Sequence, residues 1–251
     1  MIIKVGCCGW AVKGGRKAYF KKFKLIELQD TFYNLPRVEL AMKWRNMAPE
    51  DFEYTLKAWQ LITHPHTSPT WRRLKIKIPE EEKKYYGFLK PTEQNIKAWE
   101  KTLEICKALK ARICVLQTPP SFKPTKQNID NMEAFLTTIK RDNILIAWEP
   151  RGEWLTKMDL IAEICRKLDL LHVTDILKRK PAIIQEILYT RLHGLGAEIN
   201  YRYKYKDEDL QRLKEVILSF KNEVEEAYVL FNNIYMAEDA LRFMKIIAEG
   251  T

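Results

Sequence analysis

Eight short runs rich in Val, Ile, Leu and Tyr constrain this chain more than any other feature. They are Ile2 to Cys8, Lys24 to Asp30, Phe52 to Ala58, Arg112 to Gln117, Ile144 to Glu149, Leu170 to Asp175, Ile187 to His193 and Ala227 to Asn233. Most are separated by segments whose apolar residues recur every three or four positions, as on one face of a helix. Val38 to Asn46 is one such segment; Ile96, Trp99, Leu103 and Cys106 form a second stripe. Leu210, Leu213, Ile217 and Phe220 form a third, and Leu241, Met244 and Ile247 close the chain. Strands alternating with helices pair in parallel through right-handed crossovers. Eight such units in 251 residues predict a (β/α)₈ TIM barrel, a single domain over residues 1–251. A doubly wound open sheet would need a Gly-rich phosphate turn after the first strand. Gly6-Cys7-Cys8-Gly9 lacks the GxGxxG spacing of that turn.

No run approaches the roughly 18 uninterrupted apolar residues of a membrane helix. The N-terminus enters a strand at once, with no basic region ahead of a leader. Five cysteines, mostly inside apolar stretches and without a CxxC pair, read as reduced thiols. The expectation is a cytoplasmic protein with no membrane partner. The 43 basic residues against 33 acidic ones leave a net charge of +10, which favours an anionic partner such as a phosphate ester or nucleic acid. The same 30% charged residues also suit the Lys/Glu-rich surface of a heat-adapted protein.

One segment breaks the rhythm. Residues 59–92 separate the third strand from the next helix, and a connection this long is usually functional. It carries His64-Pro65-His66, Trp71-Arg72-Arg73, Lys75, Lys77, Lys83-Lys84-Tyr85-Tyr86 and Lys90. In a barrel, a loop after a strand lies on the C-terminal face. Cations interleaved with aromatics suit a nucleic-acid strand, with Arg72, Arg73, Lys75 and Lys77 as its contacts. The plainer alternative is a solvated flap whose aromatics pack on the barrel.

Side chains alternate along a strand, so charged residues show which set faces the lumen. Glu149 aligns with Leu145 and the small Ala147; Tyr189, Arg191 and His193 share one face of the seventh strand. The same logic turns Glu27, Gln29, Lys57 and Gln117 inward, with Asp175 and Asn232 at the ends of strands six and eight. Burying such charges costs several kcal/mol per ion, so they persist where they are paired, hold a ligand or do acid/base work. A self-satisfied network would pair Glu149 with Arg191 and Glu27 with Lys57.

Three chemistries are open to this set. Glu149, Asp175 and His193 could share one divalent metal ion through oxygen and nitrogen ligands, although four His are too few for a His-rich multi-metal cluster. Glu149 and His193 could instead act as a metal-free acid/base pair while Arg191 and Lys57 hold an anion. A nucleophilic Cys7 or Cys8 is the third, though adjacent buried thiols are more often core residues.

Several motifs carry a family resemblance. Gly6-Cys7-Cys8-Gly9-Trp10, Asp30-Thr31-Phe32-Tyr33-Asn34-Leu35-Pro36, Lys57-Ala58 and Ile62-Thr63-His64 appear in order. Gln117-Thr118-Pro119-Pro120-Ser121-Phe122 and Trp148-Glu149-Pro150-Arg151 with Trp154 follow. Asp175, Arg191-Leu192-His193-Gly194, Tyr201 and Phe231-Asn232-Asn233 complete them. Together they resemble the YecE-like family, a group of domains of unknown function, over nearly the whole chain. The resemblance implies a TIM barrel and no defined reaction. It adds Trp10, Thr31, Tyr33, His64, Arg151 and Tyr201 to the candidate ligand contacts. The barrel is also similar to xylose-isomerase-like folds that include DNA-repair endonucleases, a fold-level analogy.

Three functions follow. The first is an enzyme with hydrolase or lyase chemistry on a phosphorylated or nucleic-acid ligand, using Glu149, His193 and Asp175. The second is a metal-dependent sugar isomerase using the same three residues. The third is a non-catalytic nucleic-acid-binding protein. Oligomeric state is not legible in the sequence.

Overall fold

The computed structural model describes residues 1–249. Its strands are β1 (Ile2–Cys7), β2 (Leu25–Leu28), β3 (Glu53–Lys57), β4 (Ile113–Gln117), β5 (Leu145–Glu149), β6 (Leu170–Thr174), β7 (Ile187–Leu192) and β8 (Glu226–Phe231). They are hydrogen-bonded in chain order and close into a barrel. Each of the eight expected runs matches one strand, most of them trimmed at an end, while β8 starts one residue earlier than expected, at Glu226. The chain divides into two compact units, residues 1–27, 48–53 and 171 onward, and residues 28–47 with 54–170.

The first unit contains β1, most of β2 and β6, and β7 and β8, with helices α1 (Gly15–Phe20), α8 (Asp207–Leu218) and α9 (Met236–Ala248). Period-two alternation builds a column of polar side chains from its strands. Lys4 pairs with Glu53 and with Glu226, the latter at 2.8 Å. The Tyr228 hydroxyl donates to Glu53 at 2.7 Å. Its ring stacks on Tyr189, its register partner, at 5.7 Å between centroids. Burial alone would lower the Lys4 pKa, but hydrogen bonds to Glu226, Glu53 and Tyr228 hold it above the ordinary amine range.

Two expectations about this unit need correction. The crossover from β6 to β7 contains no helix, because Lys178-Arg179-Lys180-Pro181 carries no apolar stripe and Pro181 removes a donor. Instead the Ala182 N–H donates to His172 Nδ1 at 2.9 Å, and Arg212 donates to the Leu177 carbonyl at 3.0 Å. The buried face of α9 is also shifted. Asp239, Ala240 and Phe243 are buried, while Leu241, Met244 and Ile247 lie at its margin.

The second unit holds β4, β5 and most of β3, with α2 (Asp30–Tyr33), α3 (Val38–Met47), α4 (Gln60–Thr63), α5 (Glu93–Leu109), α6 (Lys126–Thr138) and α7 (Met158–Leu168). Thr92 and Thr125 cap α5 and α6, each hydroxyl accepting a backbone N–H three residues on. The α5 stripe buries Trp99, Leu103 and Cys106 as its periodicity predicts.

Residues 59–92 are built segments rather than a bare loop. After α4 come 3₁₀ turns at Pro69–Arg73 and Glu80–Tyr85. Trp71 packs edge-on against His66 and Tyr86 and donates to the His64 carbonyl at 3.1 Å. The returning limb of the flap is fastened by Asn95, which is fully buried. Its amide bonds to the Gly87 N–H and carbonyl, both at 3.2 Å, and to the Lys90 carbonyl at 3.0 Å. Gly87 is required at this point: at φ +80° a Cβ would lie 2.6 Å from the His64 backbone.

Candidate functional site

In the second unit, Lys57, His64, Glu149 and Arg151 belong to the segments that end or follow β3 and β5. Lys57 terminates β3, and its ammonium sits 3.6 Å from the Phe32 ring centroid. His64 meets the same ring edge-on at 4.8 Å. Phe32, buried on α2, is therefore the platform that brings an ammonium and an imidazole together. Thr31, beside it, lies with its hydroxyl 2.7 Å from the Lys57 carbonyl and 2.9 Å from that of Leu28. It braces the ends of two strands.

His64 is 5% exposed, with Nδ1 2.8 Å from the Thr63 hydroxyl. Burial, reinforced by the charges of Lys57 and Arg151, pushes its pKa down to about 3. The ring is neutral across the physiological range.

Glu149 ends β5 and accepts a 2.5 Å hydrogen bond from Arg151, both residues being buried. The loop between them is set by packing further along. Trp148 donates to Thr118 at 3.1 Å, Trp154 donates to the Phe122 carbonyl at 2.5 Å, and the two indoles meet edge-on. Gly152, at φ +66°, lets this turn approach Pro120 closely, since a Cβ there would lie 3.0 Å from the Pro120 Cα. Gln117 is half-buried in register with Glu149. Tyr33 lies under the Arg73 guanidinium at 3.4 Å, and Asn34 bonds to the backbone of Arg73 and Lys75. Arg72, Arg73, Lys75 and Lys77 are all exposed.

In the first unit, Arg191 pairs with Glu27 at 3.0 Å and Tyr189 donates to Glu27 at 2.7 Å. Within each unit, Arg151 partners Glu149 and Arg191 partners Glu27. Glu27 and Arg191 are sealed, at 0% and 1% exposure.

Asp175 accepts from the His193 N–H at 2.9 Å and the Leu177 N–H at 3.3 Å, with Lys178 at 3.1 Å. Burial raises its pKa against the pull of these partners. Its carboxylate ties the end of β7 to the β6–β7 turn. His193 is buried, its ring 6.1 Å from that of Tyr201, which is exposed. Asn232 is half-buried, while Asn233 bonds to Asp239 and to the Tyr203 carbonyl, both at 2.7 Å. Trp10 is half-buried, edge-on to Tyr19 and Phe20 and under Arg16.

Among the described residues, no three His, Cys, Asp or Glu side chains are placed to hold a metal ion. Cys7 and Cys8 are buried, and burial pushes Cys7 up to about 12 and Cys8 well above the thiol range. Neither is an activated nucleophile. Among the described residues no helix is long and apolar enough to cross a membrane.

A closed eight-stranded parallel barrel with charged groups at its strand ends is a TIM barrel. The chain belongs to the family described as protein of unknown function DUF72, which matches residues 4–250. A DUF72 family protein from Enterococcus faecalis is similar at 20% identity and TM-score 0.74, covering 98% of each chain. One from Thermotoga maritima is similar at 22% identity and TM-score 0.72, covering 99% of this chain and 100% of that one. Endonuclease IV from Thermus thermophilus is similar in fold at 13% identity and TM-score 0.53, covering 99% of this chain and 100% of that one. No curated protein matches the chain.

Proposed function

We propose that this protein is an enzyme acting on a phosphate-bearing ligand, a phosphorylated small molecule or a nucleic acid, by hydrolysis or elimination. The observation that carries the reading is the neutral, buried His64 beside Lys57 and Arg151. Two cations and an uncharged imidazole near a buried carboxylate suit an anion better than a neutral sugar. Lys57 and Arg151 would hold the phosphate, His64 would hydrogen-bond to it without adding charge, and Glu149 would move the proton.

The test is calorimetric titration with inorganic phosphate, together with turnover of phosphomonoester and nucleic-acid substrates. Lys57→Met should weaken phosphate binding by about tenfold or more, the scale of one charge-assisted hydrogen bond, while Lys57→Arg retains most of it. Glu149→Gln should abolish turnover and spare binding. Absence of phosphate binding in the unaltered protein, or equal affinity in Lys57→Met, sinks the reading.

A further inference from the structure

The first unit carries an exposed apolar patch for which the site above has no use. Ile199, Tyr201, Ile234 and Tyr235 are 42%, 46%, 64% and 37% exposed, and all lie in the segments that follow β7 and β8. The two segments are drawn together by the backbone, since the Ile234 N–H donates to the Tyr201 carbonyl at 2.8 Å. Large apolar side chains grouped on a surface usually mark a binding site.

The segment after β7 is braced. Its sequence alternates aromatic and basic residues, Tyr201-Arg202-Tyr203-Lys204-Tyr205-Lys206. Tyr205 is buried and accepts the Gly194 N–H at 2.7 Å; Tyr203 is half-buried and donates to Asp209 at 2.7 Å. Those two anchors leave Arg202, Lys204 and Lys206 exposed and leave Tyr201 at the rim. Gly194, at φ +80°, closes the turn from behind, because a Cβ there would lie 2.1 Å from the Asn200 carbonyl. Lys204 sits 5.4 Å from the Tyr235 ring and pairs with Glu238 at 2.6 Å. On the neighbouring turn, Glu198 is engaged by Arg179 at 2.6 Å. Both of these carboxylates bordering the patch are thus partnered by cations.

An apolar patch alone would suit a protein partner. Rings interleaved with cations suit something else: a chain that alternates flat bases with phosphates. We propose that Tyr201, Ile234 and Tyr235 form a stacking platform for single-stranded nucleic acid, with Arg202 and Lys204 against its phosphates. The proposal names the ligand class for the phosphate-bearing reading and rests on that reading for its chemistry.

The experiment is fluorescence anisotropy with a fluorescein-labelled oligothymidylate of about a dozen nucleotides, the scale of a single-strand binding site. Tyr201→Ala and Tyr235→Ala are exposed changes whose folding is checked by thermal melts. Each should weaken binding by about tenfold, the scale of one lost stacking contact. Tyr201→Phe, which keeps the ring, should restore it. Affinity should fall steeply with salt. No binding at low salt overturns the platform, as does binding indifferent to both alanine changes. Oligonucleotide binding that needs Lys57 but neither tyrosine overturns the platform and leaves the phosphate site standing. Binding that needs the tyrosines while Lys57→Met leaves phosphate affinity unchanged supports the platform and removes the phosphate site. Self-association abolished by Ile234→Ser, without oligonucleotide binding, assigns the patch to a second copy of the chain and also overturns the proposal.

Discussion

Glu27 on β2 and Arg191 on β7 form an ion pair at 3.0 Å with both residues sealed from solvent, and the Tyr189 hydroxyl donates to the same carboxylate. A pair this deep resists the loss of one member less well than the loss of both, because a lone survivor keeps its desolvation penalty. Glu27→Ala should cost about 3–5 kcal/mol in urea unfolding. A Glu27→Leu, Arg191→Met double variant should cost less than the sum of its singles. Additive losses would show that the pair is not coupled.

Lys4 stands between two carboxylates, Glu53 and Glu226. Removing it leaves two like charges facing each other without their cation. Lys4→Met should therefore destabilise by about 1–2 kcal/mol at neutral pH, discounted for partial exposure, and by less as added salt screens the repulsion. Thermal melts at low and high salt check the sign.

His64 has the opposite linkage to a salt-bridged histidine. Its folded pKa, about 3, lies below the unfolded 6.5, so the unfolded state binds the extra proton. Stability is complete above the unfolded value and declines as pH falls from there towards 3. At about pH 4.5 the loss is on the order of 2–3 kcal/mol. His64→Gln should flatten that decline, whatever its effect at neutral pH. An unchanged slope in the variant would place the acid-labile group elsewhere.

All five cysteines are buried thiols outside any disulfide, and burial pushes Cys7 and Cys165 up to about 12. An aromatic disulfide reagent should react with none of them in the native protein, and the rate should follow global unfolding as urea is added. Fast reaction of one thiol under native conditions would contradict the packing around β1 or α7.

Gly194 closes the turn that carries Tyr201, with the Asn200 carbonyl 2.1 Å from where a Cβ would stand. Gly194→Ala should destabilise by about 2 kcal/mol or more and alter the near-ultraviolet circular dichroism of the tyrosine-rich segment. Gly15 also has positive φ but open space around it, so Gly15→Ala should cost less.

The strands were legible in the sequence because a barrel strand buries both faces, and runs such as Ile144 to Glu149 suit no exposed element. The inward turn of Glu27, Lys57, Glu149 and Arg191 was legible too, since period-two alternation leaves each charge only two directions. The Arg151–Glu149 and Arg191–Glu27 pairs were not. Arg151 reaches Glu149 only because Pro150 and Gly152 turn the chain back against Pro120, and Glu27 meets Arg191 only because closure brings β2 and β7 around to shared space. The helix-less β6–β7 crossover was missed because a period count assumes a helix wherever a barrel needs one, although Lys178-Arg179-Lys180-Pro181 lacks the stripe.

What the sequence determined by itself is therefore periodicity: which residues are strand, which are helix, and which face of each is apolar or charged. Those are local properties, set by covalent geometry and side-chain polarity. What only the tertiary structure decided is contact and desolvation. Phe32 became the platform for Lys57 and His64, and Asn95 and Gly87 fastened the flap against the His64 backbone. The imidazole lost its proton because folding removed its water and placed two cations near it. Such effects depend on residues far apart in the chain, and no window of sequence contains them.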